Sequence, residues 1–142
     1  MPEYHAPDHV AEGADLIIVA VHAMLVGYVT CAFWSDGQGR DTEGAYVAVN
    51  GEPLTPEAWT DALQDIAAFV HGNLADLIAT GETDWEQHGH DFWLTRNGHG
   101  AGFWDRGYPH DVAERLSGAS RVYGSVNLVL EPDADLAFFE AG

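Results

Sequence analysis

The chain has 142 residues and a formal charge of −18, set by 23 Asp and Glu against five Arg and no Lys. Such a surface repels nucleic acid and anionic lipid and draws in basic proteins by long-range steering. The lone cysteine, Cys31, excludes an internal disulfide and a cysteine-rich zinc site, and fits an intracellular home.

Hydrophobic residues make up 46%, so the length suits one domain, 1–142, with a real core and the acids as surface decoration. The charge is uneven. Residues 1–87 hold fifteen acids and only Arg40, whereas 88–142 hold eight acids and the other four Arg.

Residues 1–13 are polar, contain two prolines and read as a loose leader without a secretory signal. From 16 to 34 (LIIVAVHAMLVGYVTCAFW) the chain is nearly all apolar and just long enough to span a bilayer. Both flanks are acidic, no cation precedes Arg40, and His22 near the middle would be costly in lipid. The segment is therefore expected to be a core helix covered by its neighbours, with a bilayer span through residues 16–34 as the lesser alternative.

Gly37 and Gly39 open a loop, and residues 45–49 are expected to form a short strand ending at Asn50-Gly51. The next helix has the clearest start signal: Thr55 as N-cap, Pro56 in the first position and Glu57 at the positive end of the dipole. Trp59, Leu63, Ile66, Val70, Leu74 and Leu77 give its expected apolar stripe, and Gly81 closes it. Asp61, Asp65 and Asp76 fall off that stripe.

Residues 91–105 (DFWLTRNGHGAGFWD) read as a β-hairpin about Asn97-Gly98, with aromatic pairs across the strands. On that reading Trp93 and Trp104 cannot both be covered unless both sheet faces are packed. A helix is expected over 109–123, with Val112, Leu116, Ala119 and Tyr123 inward, followed by a strand over 125–130. The acidic tail, 131–142, carries Phe138 and Phe139, suited to packing back or to binding. The expected fold is α+β, a small antiparallel sheet of the 91–105 hairpin and the C-terminal strand packed by three helices.

The stretch 90–107 (HDFWLTRNGHGAGFWDRG) resembles the signature of a family of small acidic proteins encoded by phages and prophages. The likeness extends to the CAFWS run from Cys31 to Ser35, to the acidic amphipathic helix and to the C-terminal helix leading into Tyr123-Gly124-Ser125. The first helix is unusually apolar for that family, and the tail matches weakly. The resemblance implies a viral or mobile-element accessory protein in the host cytoplasm and hands over no catalytic residue.

Three clusters could carry chemistry. On an extended segment His88 and His90 would face one way, and with Asp91 and His99 they could form an N/O metal site, although the pattern matches no established motif. Residues 98–102 (GHGAG) lack the strand, helix and Lys context of a phosphate loop. Asp91 with Arg96, and Asp105 with Arg106, suit ion pairs fixing the hairpin register better than an active site. Catalysis and a cofactor are not expected.

The acids point instead to a partner. Glu57, Asp61, Asp65 and Asp76, with Glu82, Asp84 and Glu86 just beyond, are expected to occupy the basic groove of a host nucleic-acid-binding protein. Carboxylates there would stand in for phosphates, as in counter-defence against restriction or CRISPR-type systems. The alternatives are a small metalloprotein or hydrolase at the 88–99 histidines, an acidic structural viral protein, and adaptation to high salt.

Overall fold

The computed structural model describes residues 8–36, 54–131 and 136–142. Along the chain come α1 (Asp8–Asp36), α2 (Pro56–Ala79), α3 (Trp85–Arg96), a 3-10 turn (Phe103–Asp105), α4 (His110–Arg121), β1 (Val126–Glu131) and β2 (Leu136–Ala141). The fold is α+β, with four helices and one two-stranded antiparallel sheet among the described residues.

The long apolar segment is helical, and helix extends back to Asp8, into what was expected to be a loose leader. Leu16–Ser35 is long and apolar enough to cross a membrane by length and composition. Its buried residues, among them Ala20, Met24, Tyr28, Val29, Ala32 and Phe33, belong to the common core. Ile18 and Val19 on the same helix remain 66% and 58% exposed, and Trp34 is 68% exposed.

α1 packs most extensively on α3, and glycine makes the approach possible. A Cβ on Gly27 would overlap the backbone carbonyl of Glu86, and one on Gly89 would overlap that of Met24. The two backbones therefore meet with no side chain between them at either point.

α2 begins as its sequence dictates. Thr55 Oγ1 accepts the Ala58 N–H at 3.1 Å, Pro56 occupies the first turn, and Gly81 follows the end with φ of +80°. The buried face is rotated from the expected stripe: Ala58, Ala62, Ile66, Phe69, Val70 and Leu77 point inward, while Leu63 is exposed. Small Ala residues face the core because α1 and β2 pack close against α2. A local break at Asn73 (φ −131°, ψ 20°), where Nδ2 bonds the Phe69 carbonyl, bends the second half.

The expected hairpin over 91–105 is corrected. Residues up to Arg96 are helical in α3, capped by Asp84, and Asn97-Gly98 ends the helix, with Gly98 at φ +70°. An Asn-Gly pair supplies a left-handed residue to a helix terminus as readily as to a hairpin turn. His88, Gly89, Phe92, Trp93, Thr95 and Arg96 are all buried, which breaks the alternation a strand requires. Phe103 then enters the core from the 3-10 turn, its N–H bonded to Thr95 Oγ1 at 3.2 Å.

α4 follows the expected helix, with Val112 and Leu116 buried and Gly124 at φ +75° beyond it. β1 matches the expected strand, but its partner is the tail, with Leu128 opposite Phe139. The expectation that Phe138 and Phe139 pack back holds, since both pack against the core. Leu54 bridges Ala137, and the Thr55 N–H bonds the Ala137 carbonyl at 2.9 Å, so β2 also ties down the start of α2. The strand expected over 45–49 lies outside the described residues.

At the centre, Phe69 stacks on Phe92 with ring centroids 4.3 Å apart, and Tyr28 meets Trp93 edge-on at 5.2 Å. Trp93 is fully buried, its indole N–H donating to Ser35 Oγ at 2.8 Å, whereas Trp104 is exposed.

Candidate functional site

The seven carboxylates expected to meet a partner fall into two groups, one on the first half of α2 and one around its far end. Glu57, Asp61 and Asp65 are four residues apart and share one face of its first half. Glu82, Asp84 and Glu86 surround the turn into α3, past an end of α2 that lies about 20 Å along the helix from Asp65 and about 30 Å from Glu57 at 1.5 Å per residue. Asp76 lies near the second group in sequence.

Their bonding differs. Asp65 accepts from Arg96 Nη1 at 2.8 Å. Asp76 takes a two-point bond from Arg115, 2.9 Å to each oxygen, and that hydrogen bonding holds its carboxyl below the usual range. Glu82 Oε2 accepts the Asp84 N–H, and Asp84 caps α3 by accepting the Glu86 N–H at 3.0 Å. Glu57, Asp61, Asp84 and Glu86 are exposed and outside any ion pair among the described residues.

Arginine explains the split. Arg96 pairs with Asp65, Arg106 with Asp91, and Arg115 with Asp76 and Asp111; among the described arginines, Arg121 alone makes no ion pair. The expected pairs of Asp91 with Arg96 and of Asp105 with Arg106 are thus replaced by long-range ones. Sequence spacing cannot show this, because the partners are joined only by tertiary folding.

Arg96 is buried, donating to the carbonyls of Tyr123 and Gly124 and to the Tyr28 hydroxyl besides Asp65. Burial pushes the Tyr28 hydroxyl up to about 12, against the pull of Arg96. A shallow hollow of about 220 Å³ lies above this group, between Asp61, Asp65 and Phe139.

The histidine cluster does not assemble. On α3, residues two apart point about 200° from each other, so His88 and His90 diverge. His88 is fully buried against Trp85, Phe103 and Tyr108, with Nε2 3.4 Å from Thr80 Oγ1. His90 is half-buried, and His99 is exposed beyond the helix. Among the described residues, no group of three His, Cys, Asp or Glu is placed to hold a metal ion.

What forms around the buried Asp91 is a polar network that opens to the surface at Arg106. Asp91 is fully buried, and its Oδ1 accepts from Arg106 Nε at 2.8 Å and Gln87 Nε2 at 3.1 Å. Its Oδ2, the Tyr108 hydroxyl and His88 Nδ1 have no hydrogen-bond partner among the described residues. Burial raises Asp91 and Tyr108 above their ordinary values and lowers His88 and His90.

Beside this network is a cavity of about 530 Å³ between α1 and residues 87–106. Trp34, Leu94, Ala101 and Thr30 supply its walls, and His90 and Arg106 its polar edge. Sequence reasoning passed over this site. Its one visible signal is the tryptophan near the end of an apolar helix, and the residues opposite it come from elsewhere in the chain.

No family model matches the chain, and no solved structure matches it. Over 74 residues it is 34% identical to sensor protein DivL of Caulobacter vibrioides, a match covering 48% of this chain. The chain spans about 10% of the length of that protein.

Proposed function

We propose that the chain is a binding protein that places carboxylates in the cationic groove of a host nucleic-acid-binding protein, in the host cytoplasm, and blocks that groove as a phosphate backbone would. The observation that carries the reading is the use of arginine: three of the four described Arg are consumed in internal ion pairs. Glu57 and Asp61 on α2, and Asp84 and Glu86 at the start of α3, keep uncompensated charge on fixed helical positions. Asp65 and Asp76 serve this reading as struts, since each is already held by an arginine. The same negative field disfavours direct binding to nucleic acid or anionic lipid. α1 is read here as a core helix, because its buried side chains share one core with α2 and α3.

The test is capture of basic proteins from host lysate on the immobilised chain, eluted with a salt gradient and separately with duplex DNA. Wild type should retain a nucleic-acid-binding protein that both release, because the contacts are ionic and screened. The quadruple neutral variant Glu57→Gln, Asp61→Asn, Asp84→Asn, Glu86→Gln should lose at least tenfold in retention. Equal retention by the variant, or a captured protein that duplex DNA does not displace, overturns the proposal.

A further inference from the structure

We propose that the cavity between α1 and residues 87–106 is a binding site for a small monocarboxylate carried on a flat apolar body, such as an aromatic acid. At about 530 Å³ the space lies within the range of small-ligand pockets, roughly 300–1,000 Å³. Its walls are apolar on both sides: Trp34 from α1, and Leu94 and Ala101 from the opposite segment. Trp34 remains 68% exposed, so a broad indole face is available to a planar group.

The carboxylate is assigned by Arg106. Its Nε is pinned to Asp91 Oδ1 at 2.8 Å, and Asp91 is itself fully buried and also held by Gln87. The two Nη groups make no hydrogen bond among the described residues, so the guanidinium offers its terminal donors at a fixed orientation. A planar fork with paired N–H donors matches a carboxylate in two-point geometry. The nearby Asp105 is turned to its own loop, where Oδ1 accepts the Gly102 N–H at 3.0 Å. The overall charge of −18 disfavours each further negative charge on the ligand, so one carboxylate meets less repulsion than two. The site shares no residue with the carboxylates of the proposed partner surface.

The experiment uses the full chain labelled with ¹⁵N at its tryptophan indoles, with the Trp34 resonance assigned through Trp34→Phe. Titration with 2-naphthoate should shift that resonance to saturation, with an affinity at least tenfold above that of the isosteric 2-naphthamide. Ala101→Leu, which fills the cavity and leaves the Asp91–Arg106 pair intact, should abolish the saturable shift. Arg106→Lys keeps a cation for Asp91 but removes the fork, and should cut the preference for acid over amide to threefold or less. Equal affinity for acid and amide in wild type, no saturable change at Trp34, or undiminished binding in Ala101→Leu would each overturn the assignment.

Discussion

Arg96 is the side chain on which most separate parts of the molecule converge. It reaches α1 through Tyr28, α2 through Asp65 and the end of α4 through two backbone carbonyls. Arg96→Ala leaves those carbonyls and the tyrosine hydroxyl unsatisfied and should cost about 3 kcal/mol, read from the urea midpoint; Arg96→Lys should recover little, since one ammonium cannot meet all four acceptors. His88 gives a pH signature. Burial lowers its pKa from 6.5, against the upward pull of Glu82 and Asp84, so the unfolded chain binds the proton more readily. Its contribution to stability is complete above pH 6.5 and is lost as pH falls through the lower folded value. His88→Phe keeps the aromatic packing and should therefore gain stability relative to wild type as pH drops from 7.5 to 5.5, measured by denaturant unfolding at each pH. At this scale the sequence exposed the identities and little of the pairing. Arg96 and Asp91 look like partners five residues apart, yet their true partners lie 31 and 15 positions away.

The elements divide by whether their signals are local. α2 was legible because Thr55, Pro56 and Gly81 act on adjacent backbone. Thr55→Ala removes the acceptor for the Ala58 N–H and should cost about 1 kcal/mol in thermal or urea unfolding. The face of α2 was less legible: both the expected stripe and the observed one recur at helical spacing, and only the close neighbours select the Ala-rich side. α3 was misread for a physical reason. Its core aromatics, Phe92 and Trp93, are adjacent, and its buried face also takes in the polar His88, Asp91, Thr95 and Arg96, so hydrophobicity does not follow burial and shows no helical period. The cue that survives is Asp84, an N-cap residue followed by burial at 88, 89, 92, 93, 95 and 96. The sheet was half legible. β1 alternates clearly, but its partner was hidden in an acidic tail whose two phenylalanines sit among charges.

The whole molecule is governed by charge against a compact helical core. With −18 on 142 residues, mutual repulsion among carboxylates opposes folding, and added salt should relieve it. Melting temperature is expected to rise by several degrees between 0.05 and 0.5 M NaCl, in the regime where the Debye length shrinks from well over 10 Å to a few ångströms. A chain that instead unfolds outright at low salt would be one adapted to brine, and the salt titration separates the two. Candidate sites were unevenly legible at this scale: acidity is a bulk property that the sequence states directly, whereas the cavity beside Trp34 exists only once α1 and α3 are laid together. That crossing has a kinetic corollary. Because Gly27 and Gly89 let two main chains touch, neither helix can slide or roll past the other without collision, and the seam behaves as a fixed pivot. Amide deuteration should accordingly be slowest around Met24, Tyr28, Phe92 and Trp93, with the outlying turns of α1 exchanging far earlier.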